Sequence, residues 1–263
     1  MRKGAPEGGP PALLELMLGP RLAIAAALVG ITVVCWLYLF AEEADMRAMG
    51  DMTMAMPPKG AMDLVLLLVM WWIMMIGMML PSAAPMILTF ATVNARRRAR
   101  AQPWAPTALF VAGYVLAWGG FSIAATLAQW GLESLALVSP MAMAVISPRL
   151  GGVLFLAAGL YQLTPLKHAC LIVCRSPFDF VVNRWQDGAL GALRMGLDHG
   201  LSCLGCCWVL MALLFAFGAM NLLWVAFLAG VVLVEKLLPF GERTARIGGL
   251  LLMGWGLWLL VAG

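Results

Sequence analysis

The chain has 263 residues and a formal net charge of +4; 63% of its residues are hydrophobic and only 11% are charged. A soluble domain carries about a quarter charged residues, so this chain has too few to build a polar surface around one core. The same composition excludes a disordered chain, a collagen-like fibre and a disulfide-rich secreted scaffold. Long unbroken apolar segments predict an all-α membrane protein, a bundle of transmembrane helices forming one domain over residues 1–263.

The apolar segments predict about seven membrane spans, because a helix needs about 20 residues to cross the hydrocarbon layer. These segments are residues 22–40, 62–91, 107–128, 150–165, 201–217, 222–238 and 246–262. The second is too long for one straight crossing, and we expect it to be broken at Pro81 and Pro85. The fourth and fifth are short, so six spans with one segment re-entrant is the alternative. The first is longer than the apolar core of a signal peptide, which indicates an anchor.

Lys and Arg residues are distributed unevenly between the two sides of these spans. With the N-terminus inside, only Arg47, Lys59 and Arg149 of the 17 basic residues fall outside. Since basic residues accumulate in cytoplasmic loops, we predict a membrane protein with a cytoplasmic N-terminus. Residues 41–61 then form an outer loop and residues 167–198 an inner loop. The basic residues lie between spans rather than on one face, so we expect no nucleic-acid partner.

Methionine is concentrated in one region, since 12 of the 20 Met residues lie between Met46 and Met86. The outer loop contains five of them in a polar segment, namely Met46, Met49, Met52, Met54 and Met56. Such a loop has no core for Met to fill, and thioether sulfur is a soft ligand that selects Cu(I). The loop therefore predicts copper capture; packing on the membrane interface or on a partner subunit is the alternative.

The second span continues the methionine pattern. Met70, Met74 and Met78 recur every four residues and form one stripe on a helix, beside a second stripe of Met75 and Met79. With the predicted orientation, both stripes lie in the outer half of the span. They are candidate copper ligands below the loop, and helix packing by adaptable side chains is the alternative.

Five of the six cysteines and both histidines fall close together in the sequence. Cys170 and Cys174 follow Lys167 and His168, and a second group comprises His199, Cys203, Cys206 and Cys207. The second group lies on one face if its segment is helical, and Cys-x-x-Cys with such a His is a ligand set for copper, with zinc as the alternative. Burial as small hydrophobic residues is the other interpretation. Both groups lie toward the cytosol, where structural disulfides are not expected.

A few polar residues inside or beside the spans are candidates for a supporting role, because they are costly in a membrane. Asp198 could fix the tautomer of His199 or act as a solvated helix cap. Glu235 and Lys236 end the sixth span at the depth of the cysteines. Glu235 could orient His199, but an ion pair between Glu235 and Lys236 is the favoured interpretation. Cys35 is expected to have no role beyond packing.

Four segments together resemble a family of bacterial predicted metal-binding integral membrane proteins of unknown function. They are WWIMMIGMMLPSAAP, GLYQLTPLKHACLIVCRSP, GLSCLGCCWVLM and the Glu235–Lys236 pair that closes the next span. The resemblance runs from the second span onward, and CxGCCW is its most specific element. It implies a polytopic inner-membrane protein in which the five clustered cysteines match the family pattern. It also implies a small protein partner, but no demonstrated reaction.

Three functions remain open on the sequence. The first is a copper-binding protein that captures, stores or passes on Cu(I) through the Met loop and the Cys/His cluster. The second is a membrane subunit of a larger metalloenzyme, photosynthetic or respiratory complex, and the third is a transmembrane thiol–disulfide relay. The sequence has no phosphorylated-Asp motif and no Walker A loop, so we do not expect ATP to drive transport. No catalytic residues are evident, and an enzyme is not favoured.

Overall fold

A computed structural model describes residues 10–50, 60–139 and 143–262 of the chain. Over these residues the fold is all-α except for one small antiparallel pair of strands. The helices and strands in chain order are α1 Pro10–Gly50, α2 Ala61–Ala99, α3 Thr107–Ser134, β1 Val138–Ser139, β2 Ala144–Val145, α4 Pro148–Gln162, α5 Pro165–Arg175, α6 Pro177–Asn183, α7 Gly188–Ala212, α8 Leu214–Phe217, α9 Leu222–Leu237 and α10 Gly241–Ala262.

Five helical segments are long and apolar enough to cross a membrane. They are Arg21–Ala48, Ala61–Ala99, Thr107–Ser134, Gly188–Phe217 and Gly241–Ala262. The chain is therefore a helical membrane protein. The predicted number of seven spans is not confirmed, because α4 has 15 residues and α9 has 16, and both are shorter than a standard crossing.

Close helix contacts fix the direction of the chain through the bundle. A Cβ at Gly196, near the start of α7, would clash with the carbonyl oxygen of Phe110, near the start of α3. A Cβ at Gly113 would lie 2.7 Å from the Leu197 nitrogen. The two helices thus begin at the same end and run parallel, and only glycine permits so close an approach. The chain between them must return across the bundle, and α4 and α5 make that return.

The prediction that the second span is broken at Pro81 and Pro85 is wrong. α2 continues as one α-helix through Pro81 and Pro85. Proline removes a backbone donor and crowds the carbonyl four residues earlier, so each of these prolines weakens the helix locally. Packing of α2 against α1, α3, α6 and α9 holds the rest of the helix in place.

The two predicted loops are also more helical than expected. Within the predicted outer loop 41–61, α1 continues to Gly50, so Met46 lies on a helix. Met52, Met54 and Met56 and the side chain of Met49 lie outside the described residues. The predicted inner loop 167–198 contains most of α5, all of α6 and the beginning of α7. The apolar criterion missed these helices because they are amphipathic or polar at their ends.

Candidate metal centre

α7 carries the predicted His/Cys group into the interior of the bundle. Its helix runs without interruption through His199, Cys203, Cys206 and Cys207. These four side chains are between 1% and 2% exposed, which places them on the buried face of the helix. All six cysteines of the chain lie among the described residues and are free thiols.

Cys203 has the most polar surroundings of these cysteines. Its sulfur lies 2.8 Å from the Lys236 ammonium and 3.1 Å from the Tyr114 hydroxyl. The same ammonium donates to Ser82 Oγ at 3.2 Å, and the Tyr114 hydroxyl donates to the Met79 carbonyl at 3.1 Å. Lys236, on α9, therefore places a buried positive charge in contact with the Cys203 sulfur.

Three other cysteines lie next to Cys203. The thiols of Cys206 and Cys207 both donate to the Cys203 carbonyl at 3.0 Å. Cys174, on α5, lies within hydrogen-bonding reach of the Cys203 and Cys206 sulfurs. Hydrogen bonding to those two sulfurs, together with burial, holds the pKa of the Cys174 thiol well above its ordinary value. Four sulfurs from two helices therefore meet at one place in the core. We call these four residues the cysteine cluster.

Cys170 lies beside the cysteine cluster and depends on a glycine for its position. A Cβ at Gly205 would lie 2.7 Å from Cys170 Sγ, so the bare Cα of Gly205 allows α5 to approach α7. The Tyr161 hydroxyl donates to the Gly205 carbonyl and ties the end of α4 to the same turn of α7. Burial, with Cys206 as a smaller contribution, raises the pKa of the Cys170 thiol.

The cluster is not arranged as a finished coordination site. Among the described residues, no group of three or more Cys, His, Asp or Glu side chains has the geometry to hold a metal ion. The sulfurs are engaged in hydrogen bonds to a carbonyl, a hydroxyl and an ammonium instead. A metal that bound here would have to replace those bonds. The predicted set of Cys170, Cys174, His199, Cys203, Cys206 and Cys207 therefore remains a prediction.

The predicted ion pair between Glu235 and Lys236 is wrong. Glu235 instead pairs with Lys167 on α5 at 2.6 Å, and both side chains are about 2% exposed. Gln162 at the end of α4 accepts from the Lys167 ammonium and donates to the other Glu235 oxygen at 3.0 Å. Successive helix residues point about 100° apart, so Glu235 and Lys236 face different neighbours. The ion pair and Gln162 together link α4, α5 and α9 beside the cysteine cluster.

The two histidines have different surroundings. His199 stacks on Phe110 and Tyr114, with ring centroids 6.2 and 5.5 Å away, and its Nδ1 has no hydrogen-bond partner among the described residues. The hypothesis that Asp198 orients it is therefore not supported. His168 is exposed, and its Nδ1 lies 3.8 Å from Glu242, outside the bundle core.

The methionines of the two predicted stripes on α2 lie inside the bundle rather than facing lipid. Met70, Met74, Met75, Met78 and Met79 are at most 4% exposed, so both predicted stripes are buried. Met79, on the second of these stripes, comes within reach of the cysteine cluster. Its sulfur lies 3.9 Å from the sulfur of Cys207.

Comparison with known proteins identifies the family. Residues 68–259 match the family PpoB2, described as a copper chaperone. The chain belongs to the PpoB2 copper chaperone family. The match covers nearly three quarters of the chain, including α2 from its third turn onward, the cysteine cluster and the buried ion pair. No curated protein and no solved structure matches the chain significantly.

Membership of the PpoB2 family confirms the coarser parts of the sequence interpretation. A metal-related family and a copper-related function were both predicted. That CxGCCW is the defining element of the family stays a prediction, as do the ligand set and the role of the Met loop. Sequence reasoning gave Tyr114 and Lys167 no part in the site, because a Tyr in an apolar span and a Lys among other basic residues carry no distinguishing signal. Tyr114 is 89 residues from Cys203 along the chain, and Lys167 is 68 residues from its partner Glu235, so neither contact can be predicted from local sequence.

Proposed function

We propose that this protein is an inner-membrane Cu(I) carrier that holds copper at the cysteine cluster and passes it to a protein partner at the inner face. The convergence of four cysteine sulfurs from α5 and α7 in a buried site carries the proposal. Thiolate ligands are soft and favour Cu(I), and Cu(I) accepts the two or three ligands that such a group offers more readily than zinc, which prefers four. Membership of the PpoB2 copper chaperone family supports copper as the cargo.

The methionines supply the path toward this cluster. In the proposed orientation, the outer segment that contains Met46, Met49, Met52, Met54 and Met56 receives Cu(I). Met70, Met74 and Met78 on α2 then offer buried thioether sulfurs along the same helix. Thiolate binds Cu(I) more strongly than thioether, so the gradient along this path favours inward movement. Copper stays in the +1 state, and no ATP-binding motif is needed for the movement.

The proposed orientation also gives α4 and α9 a role. Because α3 and α7 run parallel, α4 with α5 must bring the chain back between them. α10 packs antiparallel to α4, since a Cβ at Gly152 would meet the Gly256 carbonyl and one at Gly159 the Gly249 carbonyl, so α9 must bring the chain back between α7 and α10. We propose that α4 and α9 complete the seven crossings as short helices. Their inner ends carry Gln162 and Glu235, which bond to each other there at 3.0 Å.

The test is Cu(I) retention by the purified full chain in detergent under anaerobic, reducing conditions. The protein is loaded with Cu(I) and titrated with a coloured Cu(I)-specific chelator, and free thiols are counted before and after. We expect copper to be retained against the chelator and thiol labelling to fall when copper is bound. A protein that retains no copper and instead forms a reversible disulfide contradicts the proposal and identifies a thiol–disulfide relay.

A further inference from the structure

The contact between Met79 and Cys207 joins the two groups of sulfur ligands that lie far apart in the sequence. Met79 Sδ lies 3.9 Å from Cys207 Sγ. Met79 is fully buried and Cys207 is 1% exposed, so neither sulfur is available to solvent. Among the described residues, this is where the methionines of α2 reach the cysteine cluster.

The distance between the Met79 and Cys207 sulfurs is the distance expected between two ligands of one metal ion. Metal–sulfur bonds are roughly 2.3 Å long, so two sulfurs of a planar three-coordinate site lie roughly 4.0 Å apart. The observed 3.9 Å separation fits that arrangement without movement of either helix. The third ligand is available from Cys203, because its sulfur lies within hydrogen-bonding reach of the Cys207 thiol.

The backbone around Met79 is held in place by its neighbours. Its carbonyl accepts from Tyr114 at 3.1 Å and from Ser82 Oγ at 2.8 Å. Tyr114 also contacts Cys203, and Ser82 contacts Lys236, which in turn contacts Cys203. The same hydrogen bonds therefore fix Met79 relative to the cysteine cluster, which ordinary core packing does not require.

The geometry points to Met79 as a copper ligand that receives Cu(I) from the methionines, shares it with Cys207 and selects Cu(I) over Zn(II). This inference rests on the proposed copper function and adds the residue that determines specificity. Thioether sulfur is a neutral soft ligand that binds Cu(I) well and Zn(II) poorly. The step is a ligand exchange without redox change: a Cu–thioether bond gives way to a Cu–thiolate bond, and the Cys207 proton is released to the medium.

The test labels the methionines with selenium. The full chain is produced with selenomethionine, with Met46, Met49, Met52, Met54 and Met56 replaced by Leu so that the outer segment cannot hold the ion. It is loaded with one Cu(I) per chain and studied by X-ray absorption at the copper edge. We expect one selenium neighbour together with sulfur neighbours. Met79→Leu should lose the selenium signal, whereas Met86→Leu, an equally buried position on the same helix, should keep it.

Three results separate the two proposals. Copper bound by sulfur alone, with no selenium neighbour, overturns the role of Met79 and leaves the copper function intact. A selenium signal that persists in Met79→Leu overturns it as well, because another methionine is then the ligand. Failure of the unsubstituted chain to retain copper overturns both. In competition with Zn(II), Met79→Leu should lose roughly tenfold or more of the Cu(I) preference, and an unchanged preference contradicts the specificity role.

Discussion

At the scale of single residues, Cys203 is the centre of the site. Its sulfur contacts an ammonium and a hydroxyl, and its carbonyl accepts from two further thiols. It is therefore joined directly to α3 and α9, and through Tyr114 and Lys236 to Met79 and Ser82 on α2. Cys35 on α1 is also buried and packs beside Gly77, but among the described residues no hydrogen bond joins its side chain to this network.

We predict that Cys203→Ser weakens Cu(I) binding by roughly 100-fold or more, because the loss of a direct ligand exceeds the cost of losing a supporting group. Serine keeps the shape of the side chain but is a poor ligand for a soft ion. Cys35→Ser is the matched control and should bind copper like the unsubstituted protein. Chelator competition measures both variants; equal retention by the two would remove Cys203 from the site.

Copper binding should strengthen as pH rises. The pKa of the Cys174 thiol lies well above its ordinary value, so the metal-free protein keeps that proton across neutral pH. A metal that binds this sulfur must expel the proton, and the affinity then rises about tenfold per pH unit for each proton released. Chelator competition at several pH values measures the slope. In Cys174→Ser, the Cu(I) affinity should depend less steeply on pH. An unchanged dependence on pH would show that Cys174 stays protonated when copper binds.

At the scale of helices, the buried pair of Lys167 and Glu235 connects α5 to α9. Each charge is buried, and Gln162 bonds to both. α5 carries Cys174, and α9 carries Lys236, so the pair sets the distance between two sides of the cysteine cluster. Removing one partner leaves an uncompensated charge in a medium of low polarity.

Lys167→Met should destabilise the protein by about 3–5 kcal/mol, since it leaves the Glu235 carboxylate buried and unpaired. The double variant Lys167→Met, Glu235→Gln should recover much of that loss. The control is Arg47→Met, which breaks an exposed pair with Glu43 and should cost less than about 1 kcal/mol. Thermal unfolding in detergent measures all three. A double variant no more stable than the single one would contradict the account.

The packing of α3 against α7 makes a second prediction at this scale. A methyl group at Gly196 would meet the carbonyl oxygen of Phe110, so Gly196→Ala must push the two helices apart. We expect a loss of roughly 1–3 kcal/mol in stability and weaker copper retention, because Tyr114 and Cys203 are brought together by this interface. Gly120→Ala on α3, where a Cβ meets nothing within 4 Å, is the control and should change neither property.

At the scale of the whole molecule, the positions of the basic residues agree with the directions in which the helices run. Arg21 bonds to Thr92 at 2.7 Å, so the beginning of α1 lies at the same end of the bundle as the last turns of α2. Arg97 near the end of α2 bonds to Asp187 just before α7 at 2.7 Å. The predicted inner residues thus gather at one end of the bundle. We propose that this end faces the cytoplasm.

Cysteine labelling in intact cells tests the orientation. In a chain with its six cysteines replaced, Met52→Cys should react with a membrane-impermeant maleimide, whereas Ala101→Cys should react only after the cells are lysed. The reason is the accumulation of Lys and Arg on the cytoplasmic side. Labelling of Ala101→Cys but not Met52→Cys in intact cells would reverse the orientation and, with it, the inward direction proposed for copper.

The sequence by itself determined the class of protein and which residues share one face of α7. Apolar segments predicted a helical membrane protein because the bilayer imposes length and hydrophobicity locally, one span at a time. The spacing of His199, Cys203, Cys206 and Cys207 placed them on one face because helical periodicity is also local. The continuity of α2 through Pro81 and Pro85 was missed, because neighbouring helices hold it together.

Only the tertiary structure decided which residues meet. Lys236 contacts Cys203 rather than Glu235, Glu235 pairs with Lys167, and Met79 rather than Met78 reaches Cys207. Each of these contacts depends on how closely two helices approach each other and on how each helix is rotated about its axis. Those quantities are set by close contacts elsewhere, such as the glycine interface between α3 and α7, and no pattern within one helix records them.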